Sequence, residues 1–144
     1  MDMDRLVESL IVSANGNYRS LLQLMTKCLE LIPIKLPDPA LNAKTIAQSY
    51  WLKHEASEED LEKARINCWE YLDQNSAKNS ESNQAISASR AVICTLYGKP
   101  PSEDLGELAD FFVQMLFAAN ACADANFREK FIAAVTGYTA SNEP

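Results

Sequence analysis

The side chains able to perform acid–base, nucleophilic or metal chemistry are few and scattered. A single histidine, His54, excludes paired-histidine metal sites and the HExxH pattern, and no Glu-x-x-His spacing occurs for a di-iron carboxylate centre. Cys28, Cys68, Cys94 and Cys122 stand far apart inside apolar patterns with no CxxC pair, and read as buried thiols of a reducing cytosol. A cysteine nucleophile needs a base, and nothing in the sequence brings His54 to a thiol. The glycines at 16, 98, 106 and 137 are isolated, so no phosphate-cradling loop is present. No cofactor and no metal is expected. An enzyme hidden in this chain would draw on His54, Arg65 and Arg90. The two arginines lie on the inner or boundary arcs of their segments, where a carboxylate partner for each guanidinium is the simpler account.

Acidic side chains carry more information. The chain of 144 residues has 20 acidic against 13 basic side chains, a formal net charge of −7 and a pI near 4.7. Such a balance is repelled by phosphate backbones and anionic lipid, which argues against general nucleic-acid or membrane-surface binding. One cluster holds Glu55, Glu58, Glu59, Asp60 and Glu62, another Glu103, Asp104, Glu107 and Asp110. First-turn acids are what a helix macrodipole favours, which accounts for much of both clusters. Glu103, Glu107 and Asp110, however, follow i, i+4, i+7 spacing along one side of a helix, and Asp110 lies beyond the reach of that effect. A row of like charges costs a few tenths of a kcal/mol, so its presence points to a basic partner. Tyr71, turned sideways beside Glu70 and Asp73 by the inward-facing Cys68, Trp69 and Leu72, is the aromatic expected to anchor an interface.

The elements that must position these groups are helical. Four glycines and six prolines divide the chain into segments of helical length. A first segment runs from Asp2 or Asp4 to Ala14 and ends at Asn15-Gly16-Asn17. A second places Tyr18, Leu21, Leu22, Met25, Cys28, Leu29 and Ile32 on one stripe of 3.6-residue period. After the extended stretch between Pro33 and Pro37, Asp38 is expected to cap a third helix with Pro39 at its first position, and Ile46, Ala47, Tyr50, Trp51 and His54 follow one side. Ser57 caps a fourth, with Leu61, Ala64, Cys68, Trp69 and Leu72 inward.

Residues 74–84 read as a solvated loop in which Ser80 or Ser82 can cap the next helix. That helix, with Ile86, Ser89, Ile93, Leu96 and Tyr97 as its stripe, is expected to run to Gly98. Ser102 then caps the longest and most central helix, whose stripe runs from Leu105 to Cys122 with Phe111, Val113 and Phe117 widening the arc. A last helix opens at Asp124 or Asn126 and stops at Gly137. The expectation is a single all-α domain over 1–138, a bundle of six to seven mostly antiparallel helices, with 139–144 frayed.

The strings Leu61 to Asp73 (LEKARINCWEYLD) and Ser89 to Tyr97 (SRAVICTLY) resemble the small all-helical immunity proteins encoded beside bacterial polymorphic and secreted toxins. The resemblance implies a cytoplasmic inhibitor that binds one cognate toxin. On that expectation Glu58, Glu59, Glu62, Glu103, Glu107 and Asp110 pair with lysines and arginines of the partner, and Tyr71 or Trp51 supplies the apolar centre. The alternative among binding proteins is an adaptor or secretion chaperone with an apolar groove. A homodimer would cover the wide apolar arc of the 103–122 segment. The acidic N-terminus lacks the basic start of an export signal, and the run from Phe111 to Ala119 falls short of the about 20 residues needed to span a bilayer.

Overall fold

Apolar stripes punctuated by proline, glycine and capping residues produce helices and nothing else. The computed structural model describes residues 3–32, 35–75, 84–100, 104–120 and 125–141, and among them are seven α-helices and no strand. They are α1 (Met3–Ser13), α2 (Tyr18–Cys28), α3 (Asp38–Trp51), α4 (Glu58–Asn75), α5 (Gln84–Ile93), α6 (Leu105–Ala119) and α7 (Ala125–Ser141), with a 3-10 turn over Leu29–Leu31. The expected all-α, single-domain bundle is what forms.

Local chemistry sets most boundaries. Asn15 and Gly16 take positive φ (56° and 67°) and reverse the chain after α1, and the Asn17 side chain caps α2 by accepting from Ser20 N at 3.0 Å. The second helix tightens into the 3-10 turn rather than continuing to Ile32. Ile32, the residue before Pro33, is extended, as the proline ring demands. Pro37, not Asp38, occupies the cap of α3, and Asp38 is its first helical residue with no side-chain capping bond. At α4 the capping box forms: Asp60 N donates to Ser57 Oγ at 3.1 Å and Ser57 N donates to Asp60 Oδ2 at 2.9 Å.

Other expected boundaries are corrected. Residues 74 and 75 belong to α4, and the rest of the expected loop up to 83, including Ser80 and Ser82, lies outside the described residues. The fifth helix ends at Ile93, five residues before Gly98, because Thr95 Oγ1 turns back to Val92 O at 2.6 Å and its carbonyl is taken by another helix. Asp104 caps α6 by accepting from Gly106 N at 2.8 Å; Ser102 lies outside the described residues. At 15 residues α6 is shorter than α4 with 18 and α7 with 17. The last helix passes through Gly137 to Ser141, so 139–141 are helical rather than frayed.

The core is built where stripes meet. The second helix is covered on two sides, by α3 and α7, while α1 packs on α6 and α7. Phe117 of α6 meets Phe127 and Phe131 of α7 at ring-centroid distances of 4.9 and 5.6 Å. The third helix buries the small row Ala40, Ala43, Ala47 and then Trp51, which lets α4 and α5 approach closely; Ile46 and Tyr50 are only half-buried.

Candidate functional site

The fifth helix packs on both α4 and α6, but α4 and α6 share no extensive contact with each other. A cleft therefore opens above α5, with a volume of about 270 Å³ and a lining of Trp69, Arg90, Ile93, Cys94, Tyr97, Glu107, Leu108 and Phe111. Ile93, Cys94 and Leu108 are buried and form its floor. Trp69 on the α4 side and Phe111 on the α6 side are each 44% exposed.

Helical geometry explains both aromatics. The inward row of α4 is Leu61, Ala64, Cys68 and Leu72, all buried; Trp69, one residue past Cys68, is rotated by about 100° away from that row. This corrects the expectation that Trp69 faces inward. It shares the outer arc with the exposed Ile66, and Tyr71 is the half-buried one, packed against the core. On α6 the same rotation separates the exposed Phe111 from the fully buried Phe112. Trp51 is 4% exposed with its indole turned inward, so it offers no surface for a partner.

The acids expected to bind a partner are distributed over several surfaces. Glu58 and Glu62, one turn apart, line a second cleft of about 300 Å³ with Arg65, Tyr97, Gly98 and Lys99. Glu59 is turned to Lys63, 3.4 Å away and exposed. Glu107 lines the apolar cleft, and Asp110, half-buried, accepts from Gln114 Nε2 at 2.7 Å. Glu103 lies outside the described residues. Tyr97 lines both clefts, so Glu58 and Glu62 adjoin the apolar cleft through it.

Comparison with family models, curated proteins and solved structures finds no match. His54, Arg65 and Arg90 line three different clefts. Among the described residues Arg65 has no carboxylate within ion-pair distance, against expectation. Its Nη1 donates to Leu96 O at 3.0 Å and the guanidinium lies over the Tyr97 ring, 4.8 Å from its centroid. His54 is exposed in a left-handed turn (φ 58°) beyond α3, and its Nδ1 accepts from Arg19 Nη2.

Burial pushes the Cys28 and Cys94 thiols up to about 12 and Cys68 up to about 11, which withholds the thiolate that nucleophilic chemistry requires. Cys122 lies outside the described residues. Among the described residues no group of three or more His, Cys, Asp or Glu is disposed to hold a metal ion.

The two exposed aromatics are what the sequence reading missed. Their signal was present. Trp69 falls on the outer arc with Glu62, Ile66 and Asp73 at i, i+4, i+7 and i+11, and Phe111 falls with Glu107 and Gln114 at i, i+4 and i+7. An aromatic among polar residues on a helix arc is a surface aromatic.

Proposed function

We propose that this chain is a non-catalytic protein-binding module, an immunity-type inhibitor that docks a basic protein on the face formed by α4, α5 and α6. The observation that carries this is the pair Trp69 and Phe111, exposed on opposite sides of an apolar cleft with Glu107 in its lining and Glu58 and Glu62 in the adjoining one. Large aromatics flanked by charge are the anatomy of an interface centre and its rim. Carboxylates there steer a cationic partner and add on-rate. The resemblance of 61–97 to immunity proteins supplies the finer identity of the partner, a toxin domain whose active site would be covered in the cytoplasm. No helix among the described residues is long and apolar enough to cross a membrane.

The test is affinity capture from the native cells with the wild type, the Trp69→Ala/Phe111→Ala pair and a Glu58→Lys/Glu62→Lys/Glu107→Lys triple variant, each washed at moderate and high salt. A stoichiometric basic protein that both variants lose and that high salt weakens supports the reading. Equal retention by all three proteins, or no partner at all, overturns it. The apolar lining also favours a second reading, an adaptor or secretion chaperone gripping through the cleft alone. That reading predicts loss with the aromatic pair only, and little salt dependence.

A further inference from the structure

Arg90 is the charged group in the apolar cleft whose capacity is unspent. It is half-buried in the last turn of α5, and among the described residues it forms no hydrogen bond, ion pair or ring contact. A cation in a final turn suits the helix macrodipole, but that leaves its five N–H donors without a directed acceptor. Arg65, by contrast, is committed to Leu96 O and the Tyr97 ring. The remaining lining is Trp69, Ile93, Cys94, Tyr97, Leu108 and Phe111, with Glu107 the second charge and exposed.

We propose that this cleft binds a small apolar carboxylic acid, its carboxylate paired with the Arg90 guanidinium and its apolar body held between Trp69 and Phe111. The planar guanidinium matches a carboxylate in two parallel hydrogen bonds. Partial burial beside apolar walls strengthens such a pair relative to one in open water. A cavity of about 150 Å³ holds benzene, so a cleft of about 270 Å³ accommodates an aryl or short alkyl acid. With a net charge of −7, the chain as a whole repels anions, so any preference for the acid must arise locally at Arg90. Glu107 opposes that preference from the same lining. The acid would occupy the same cleft as the docked protein and compete with it, but the two are recognised by different groups, so failure of the acid to bind would leave the docking reading standing.

The test is a titration of the full chain with 4-phenylbutyrate, 4-phenylbutanol and 4-phenylbutylamine, followed by the two indole N–H resonances in NMR. Trp69 reports the cleft and buried Trp51 is the internal reference. The expected result is a saturable shift of the Trp69 signal alone, with the acid bound roughly tenfold more tightly than the alcohol, as one charge-assisted pair provides. Arg90→Gln should bring the acid down to the affinity of the alcohol while leaving the alcohol unchanged, which also shows that the variant is folded. Glu107→Gln should tighten the acid. Equal binding of acid and alcohol, tighter binding of the amine, an Arg90→Gln variant that keeps its acid preference, or no Trp69 shift with any probe would each overturn the proposal.

Discussion

The indole Nε1 of Trp51 donates to the carbonyl oxygen of Thr95 at 2.7 Å, and the carbonyl of Trp51 in turn accepts from Gln23 Nε2 at 3.0 Å. One residue thus joins α2, α3 and the turn that ends α5. Tyr18 and Tyr50 meet its ring edge-on at 6.0 and 4.7 Å, and the Tyr18 hydroxyl donates to Tyr97 O at 2.6 Å. The segment 95–97, which separates the clefts, is held from beneath by these two hydroxyl and indole donors. Placement of the candidate docking face therefore depends on Trp51 of α3 and Tyr18 of α2.

Trp51→Phe removes the donor and leaves the fully buried Thr95 with an unpaired carbonyl. The expected cost is about 1–3 kcal/mol for the orphaned acceptor, before any lost packing. The same exchange at Trp69, which is 44% exposed, should change stability by no more than about 0.5 kcal/mol. Urea unfolding of the two variants checks this. Trp51→Phe should lower the midpoint with an unchanged slope, and Trp69→Phe should leave both in place.

Gly106 sits in the first turn of α6 where a Cβ would come within 2.9 Å of Asp104 Oδ1, the atom that caps the helix. Gly106→Ala must displace that carboxylate. Ordinarily alanine inside a helix stabilises it, by up to about 1 kcal/mol over glycine. Here loss of the cap, worth about 1 kcal/mol, offsets the gain. The diagnostic is the double variant: in an Asp104→Ala background, where no carboxylate remains to collide, Gly106→Ala should raise the melting temperature.

Much of the architecture was legible from residue spacing, and the places where it was not share one cause. The rows Leu21, Leu22, Met25, Cys28 on α2 and Leu61, Ala64, Cys68, Leu72 on α4 are buried as their periodicity requires. Trp69 has the size and hydrophobicity of a core residue, but an angle of about 100° from the row carries it outside. Gly98 is a strong local stop, yet α5 ends at Ile93. The real terminator is non-local, since the Thr95 carbonyl is claimed by Trp51, 44 residues earlier in the chain. Arg65 was expected to seek a carboxylate, but a carbonyl at a helix exit and a tyrosine face satisfied it, and no spacing rule encodes either. The acids on α4 and α6 were legible as clusters, yet which of them adjoin the apolar cleft is decided by the 97–99 segment between the helices.

At the acid limb, Asp60 sets the sign. The hydrogen bonds from the Ser57 backbone and hydroxyl, aided by the charge of Lys63, outweigh desolvation and hold its carboxyl below its ordinary value of 3.8. A carboxyl lowered in the folded state contributes stability that is present above the unfolded value and is lost as pH falls through the folded one. Asp60→Asn should therefore lower stability at neutral pH and flatten the decline below pH 3.8. Ser57→Ala should cost about 1 kcal/mol of capping at neutral pH and flatten the same limb. Thermal unfolding as a function of pH for the three proteins measures both effects.

At the alkaline limb the thiols act in the opposite sense. Cys28 and Cys94 are raised by burial from 9.0 to about 12, so in the folded chain they remain protonated while the unfolded chain ionises. A group raised on folding contributes stability that is complete below its unfolded value and is lost as pH climbs towards the folded one. Above pH 9 both thiols should therefore remove stability as pH rises. Tyr18, also raised by burial, steepens the fall above its ordinary value of 10.0. A Cys28→Ala/Cys94→Ala variant should show a shallower decline above pH 9 than the wild type. In the native protein at pH 8 both thiols, and Cys68 with them, should resist iodoacetamide and react at once in urea. Peptide mapping of the alkylated chain decides it: a carbamidomethyl group on Cys28 or Cys94 of folded protein would mean that α2 or the turn after α5 opens far more readily than its packing implies.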